Sequence, residues 1–168
     1  MQPKSVPMSE RFNVGEIEGV AVRTLRKYGD SRGWLAELFR HDEVDPEFYP
    51  VMAYTSSTGP GVTRGPHEHV DQADFFCFIG PSNFKLRMWD NRKESQTFNN
   101  VITLIVGEDN PRSVLIPAGV VHAYQNIGSA DGIVFNCPNR LYMGVDKKEP
   151  IDEIRHEDDP ETIYRIND

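Results

Sequence analysis

With 168 residues, the chain is within the size of one domain, 1–168, and long enough to bury a real core. Its 18 basic and 26 acidic residues leave a net charge of −8, and no block of lysines or arginines interrupts that balance, which argues against nucleic-acid binding. A few arginines converging locally would still serve an anionic small molecule.

In chain order, the start MQPKSVPMSERF is polar and reads as an N-terminal arm, residues 1–11, either loose or exchanged with a partner subunit. It has no apolar run of the kind a signal peptide carries, and no segment approaches the ~20 apolar residues of a membrane span, so a cytoplasmic protein without membrane contact is expected. Short β-type runs follow at 20–25, 34–39, 51–57, 74–80, 84–90, 101–107, 113–117 and 132–138, separated by breakers such as Gly59-Pro60-Gly61 and Asn110-Pro111. Many short, evenly spaced strands predict an all-β sandwich or barrel. Cys77 and Cys137 sit inside apolar runs, which suits buried thiols in a reducing compartment. A short helical segment is expected in the charged stretch after Pro150.

The stretch Arg64-Gly65-Pro66-His67-Glu68-His69 places two imidazoles two positions apart, just after the Gly59-Pro60-Gly61 turn. Asp74 and Gly80 follow, and later Pro117-Ala118-Gly119 precedes His122 and Asn126. These spacings resemble the two motifs of the cupin superfamily, whose first carries a glutamate where this chain has Asp74; the glycine usually found six positions before the second motif's proline is missing. The resemblance implies a double-stranded β-helix, the jelly roll. Strand geometry explains the spacing, since side chains two apart face the same way and His122 can meet them from a paired strand. His67, His69, Asp74 and His122 would suit a divalent Fe, Mn, Ni or Zn ion with open positions. The alternative is an ion-free polar cavity in which His67 is a free base.

A closer resemblance covers residues 18 to about 165. GDSRGWLAELF at 29–39, GVTRGPH at 61–67, DNRKESQTFNN at 90–100 and IPAGVVHAY at 116–124 resemble motifs of the dTDP-4-dehydrorhamnose 3,5-epimerase family, homodimeric jelly rolls that handle nucleotide-linked 4-keto-6-deoxy sugars. The resemblance implies that Arg64 and Arg32 hold a nucleotide diphosphate, that Glu37 lies near the base or ribose, and that His67 is the general base with His122 beside it. A guanidinium fork suits phosphate, and an imidazole poised near neutral pH suits proton abstraction next to a ketone.

Three features depart from the family pattern. Its proton-donating tyrosine aligns with Phe135, its lysine aligns with Asp74, and its base-orienting aspartate lies in an extension past Asp168. Tyr142 or Tyr124 would then supply a hydroxyl from another direction. The function this implies is a nucleotide-sugar epimerase or keto-isomerase of deoxysugar or surface-polysaccharide biosynthesis, acting as a homodimer and needing no cofactor. Two alternatives stand beside it: a metal-dependent cupin enzyme, an oxygenase or small-sugar isomerase, and a non-catalytic sugar-nucleotide-binding cupin. A bound metal would occupy His67, so the base and ligand roles compete for one side chain.

Overall fold

The computed structural model describes residues 11–167. The expected arm, residues 1–11, lies outside the described residues except for Arg11. Thirteen strands follow in chain order: β1 (Asn13–Val14), β2 (Ala21–Thr24), β3 (Tyr28–Asp30), β4 (Gly33–Leu35), β5 (Tyr54–Thr58), β6 (Thr63–Glu68), β7 (Asp74–Phe78), β8 (Asn83–Asp90), β9 (Asn100–Gly107), β10 (Arg112–Ile116), β11 (Val120–Asn126), β12 (Gly132–Asn136) and β13 (Ile154–Arg155). They form a six-stranded sheet, β1-β9-β8-β11-β6-β13, a five-stranded sheet, β2-β10-β7-β12-β5, and the separate hairpin β3-β4. Pairing is antiparallel except between β1 and β9. This is the expected all-β jelly roll.

Alternation explains how the sheets meet. On β8 the fully buried Phe84, Leu86 and Met88 alternate with the more exposed Lys85 and Arg87, and they pack against Phe76, Phe78, Val114 and Val134 from the opposing sheet. Burying each such large apolar side chain contributes about 1.5–3 kcal/mol. The continuous run Asp74–Phe78 is buried on both faces, because Phe76 and Phe78 enter the inter-sheet core while Phe75 and Cys77 meet Leu25, Leu38, Phe39 and Val44 outside. Both cysteines are free and buried.

Two expected elements come out shorter. The run at 34–39 is a strand only to Leu35, and the chain beyond it wraps over the outer face of β7 through short 3-10 turns at His41–Glu43 and Pro46–Phe48. The expected C-terminal helical segment is reduced to the single 3-10 turn His156–Asp158, preceded by β13. The loop after β8 is organised by Asp90, whose buried carboxylate accepts hydrogen bonds from the Arg92 backbone and guanidinium and from the Ser95 and Thr97 hydroxyls. In this chain the pattern D-x-R-x-x-S-x-T therefore encodes a loop scaffold. Among the described residues no helix is long and apolar enough to cross a membrane.

Candidate functional site

The site begins with a backbone irregularity on β6. His67 pairs with His122 and Arg64 with Tyr124, so three steps on β6 match two on β11. The extra residue is a bulge that turns Arg64 and His67 to the same face although they are three apart. Gly65 makes it fit: its φ is +78°, and a Cβ there would lie 2.6 Å from the His122 carbonyl oxygen. Only glycine takes that conformation at no steric cost.

Three imidazoles meet beneath the bulge. Ring centroids lie 4.5 Å apart for His67 and His122, 5.7 Å for His67 and His69, and 6.0 Å for His69 and His122. Asp74 reaches them from the opposing sheet, with its Oδ2 3.2 Å from both His69 Nε2 and His122 Nε2. One candidate ligand atom from each of the four residues lies within 4.8 Å of the others. The structure thus brings together every residue of the expected ligand set.

The remaining hydrogen bonds orient the set. His122 Nδ1 lies 3.0 Å from the Val120 carbonyl oxygen, and His69 Nδ1 meets the Asp152 carbonyl oxygen. These contacts place a proton on each Nδ1 and turn each Nε2 toward Asp74. Asp74 Oδ1 accepts from Gln72 Nε2 at 2.9 Å and from Asn136 Nδ2 at 2.8 Å. Asp74 Oδ2 and His122 Nε2, although in contact, are buried without an aligned hydrogen bond. Burial by itself would lower the His69 pKa, but the Asp74 carboxylate outweighs it and raises it to about 9. Burial would raise the pKa of Asp74, and the two imidazoles reverse that and hold it ionised. His67 is driven the other way: burial and the neighbouring His122 push it down to about 2, so it is neutral.

The C-terminal segment straps this cluster. The Asp152 carboxylate accepts from three consecutive backbone N–H groups, of Val70, Asp71 and Gln72, at 2.8–2.9 Å. β13 pairs with β6 through Ile154 and Arg155, and His156 Nε2 sits 2.8 Å from buried Glu68 Oε1. The strap carries Glu153 and Glu157 to 3.6 and 3.9 Å from His67 Nδ1. Two glutamates thus stand behind His67. Sequence reasoning missed them because they lie more than 80 positions from His67, in a charged stretch with no strand signal.

His67 lines two adjoining clefts, of about 370 and 1020 Å³, and Tyr54 and Glu153 line both. Arg64 and Tyr124 line the smaller, while Tyr142 and Arg140 line the larger. Arg64 is held in place by bonds from Nε to Thr58 Oγ1 and from an Nη to the Ser57 carbonyl oxygen. Arg32 and Glu37 are not brought to these clefts. Arg32 sits 87% exposed at the tip of the β3-β4 hairpin, paired with Asp30, and Glu37 borders a separate cleft with Arg23 and Arg40 on the outer face of the five-stranded sheet.

Phe135, the position at which a donor tyrosine is missing, lines neither cleft. Phe135 packs outward with Phe75 and Cys77, while its neighbours Val134 and Asn136 face inward, since one step along a strand changes the face. Tyr54, directly opposite Asn136 on β5, is the tyrosine that sequence reasoning did not single out. Burial and the negative charge of Asp74 push its hydroxyl up to about 12, so it keeps its proton.

Residues 15–160 match the family profile described as dTDP-4-dehydrorhamnose 3,5-epimerase. A probable low-salt glycan biosynthesis epimerase, Agl13, from Haloferax volcanii is 36% identical over 139 residues, covering 82% of this chain and 86% of that relative. The spore coat polysaccharide biosynthesis protein SpsL of Bacillus subtilis is 38% identical over 112 residues, or 67% and 73% of the two chains. Among solved structures, a dTDP-6-deoxy-D-glucose-3,5-epimerase from Legionella pneumophila, in complex with dTDP-4-keto-L-rhamnose, shares the fold with a TM-score of 0.70 at 22% identity, over 84% of this chain and 74% of that one.

Proposed function

The chain belongs to the dTDP-4-dehydrorhamnose 3,5-epimerase family, and from that premise we propose that it epimerises a nucleotide-linked 4-keto-6-deoxyhexose in deoxysugar or surface-polysaccharide biosynthesis. The observation that carries this reading is the bulge at Gly65, which sets a base, His67, and an anion-binding guanidinium, Arg64, on one cleft wall. His67 is unprotonated and so keeps a ring nitrogen open to a proton, while burial beside His122 makes it a weaker base than a free imidazole. With Nδ1 turned to Glu153 and Glu157, Nε2 is left to take the proton from the carbon next to the ketone, and the carboxylates stabilise the imidazolium that forms. Arg64, fixed by Thr58 and Ser57, presents its fork to diphosphate oxygens. Tyr142, at the wider mouth, offers a ring and a hydroxyl to the sugar nucleotide. Arg32 and Glu37 lie away from this cleft, so their nucleotide-binding role requires a second copy of the chain, in a homodimer.

The test is incubation with a dTDP-linked 4-keto-6-deoxyglucose in deuterium oxide. Deuterium is expected at one or both carbons flanking the ketone, together with inversion. Retained binding without any deuterium would favour a non-catalytic binding module and overturn the epimerase reading.

A second reading rests on a different observation, the buried and unaligned lone pairs of Asp74 Oδ2 and His122 Nε2. Three imidazoles and a carboxylate converging, with the Nδ1 of His69 and of His122 directed to outer carbonyls, fit a divalent Fe, Mn, Ni or Zn ion. Such an ion, when bound, would polarise a carbonyl as a Lewis acid. His67, His69, Asp74 and His122 would hold it, and His67 would then cease to be a free base. Stoichiometric metal in protein purified without chelator is expected under this reading and not under the first.

A further inference from the structure

We propose that Tyr54 is the proton donor of this site, an inference that rests on the epimerase reading above. Inversion at a carbon next to a ketone needs two groups on opposite faces of the sugar: one takes the proton, the other returns one. His67 stands on β6 in the six-stranded sheet, and Tyr54 stands on β5 in the five-stranded sheet that faces it. Both line the two clefts, so a guest between the sheets has His67 on one side and Tyr54 on the other.

The hydrogen bonds around Tyr54 aim its proton. Asn136 Oδ1 accepts from the Phe75 backbone N–H at 3.0 Å, which settles which end of the amide is which. Its Nδ2 then gives one hydrogen to Asp74 Oδ1 at 2.8 Å and the other to the Tyr54 oxygen at 2.9 Å. A phenol oxygen that accepts there keeps its own single O–H for another partner, and Tyr54 borders both clefts. The other cleft tyrosines are placed worse. Tyr124 is on β11, in the same sheet as His67, and its hydroxyl is engaged with Ser56. Tyr142 is half exposed at the mouth of the larger cleft and does not line the smaller one.

The protons balance as follows. The C–H bond breaks, its proton goes to His67, and the electron pair moves into the enolate. A new C–H bond then forms on the opposite face with the proton from the Tyr54 O–H, as the enolate returns to the ketone. Solvent afterwards takes the proton from His67 and restores the one on Tyr54.

Tyr54→Phe in the full chain, assayed on a dTDP-linked 4-keto-6-deoxyglucose in deuterium oxide, tests this directly. The variant loses only an oxygen from a half-exposed ring and should keep its fold, which circular dichroism checks. His67 still exchanges the proton and hands deuterium back to the same face, so wash-in with retained configuration should persist while inversion falls by about 10²-fold or more. Tyr49→Phe, a ring packed against Phe39 and His41 away from both clefts, should leave inversion within a few-fold of the parent. Unchanged inversion in Tyr54→Phe overturns the assignment. So does joint loss of exchange and inversion in a folded variant, since that marks a binding role. Absence of both in the parent chain overturns the epimerase reading itself, which separates the two failures.

Discussion

Gly65 illustrates how much one residue decides. At a φ of +78° and with 2.6 Å between an added Cβ and the His122 carbonyl, an alanine would meet both backbone strain and a steric overlap. Gly65→Ala is expected to cost about 1–3 kcal/mol, read as a lowered denaturation midpoint, and to abolish deuterium wash-in by flattening the bulge that aims His67. Asp74 decides the charge of the cluster. In metal-free protein the His69 pKa is raised from 6.5 to about 9, so the stability this pair contributes is complete below pH 6.5 and is lost as pH rises through about 9. Asp74→Asn should remove that dependence and return the His69 titration toward its ordinary range, as followed by NMR of the imidazole protons. Both residues stood out in the sequence, Gly65 within R-G-P-H and Asp74 within the histidine spacing. The face each neighbour occupies did not, because a bulge shifts the period of two on which such readings depend.

Among elements, the C-terminal strap holds the site closed from outside. Asp152 caps three backbone N–H groups of residues 70–72, and burial, which would raise its pKa, is outweighed by those bonds. Asp152→Ala should destabilise by roughly 1–3 kcal/mol and raise amide hydrogen exchange at residues 70–72. Glu153 and Glu157 would loosen with it, and exchange at the sugar carbon should slow; unchanged wash-in would show that the strap does not support His67. Strands β7, β8, β9, β10 and β12 were legible in the sequence because their apolar runs are long and bounded by turn residues. β6 gave no such signal, since Thr63–Glu68 contains Arg, Gly, Pro, His and Glu and was recognised as a strand only through its histidine spacing. β13 is two residues long and gains its pairing from β6 rather than from its own pattern.

At the scale of the molecule, two sheets act as opposing walls, one carrying His67 and Arg64 and the other Tyr54 and Asp74. Arg32 and Glu37 lie off these walls, and the β3-β4 hairpin exposes Tyr28, Trp34 and Leu35. A homodimer is expected in solution, measured by light scattering, with Arg32→Ala weakening thymidine diphosphate binding although the residue is remote from its own chain's cleft. A monomer that binds the nucleotide equally well with and without Arg32 would refute this. Spacing and strand periodicity, together with the family resemblance, determined the all-β jelly roll, the histidine-aspartate cluster and the place of Arg64, because those depend on intervals of a few residues along the chain. The carboxylates behind His67, the outward turn of Phe135 and the inward hydroxyl of Tyr54 were decided only when the sheets closed, because each depends on groups tens of residues apart meeting across a pairing register that no local pattern encodes.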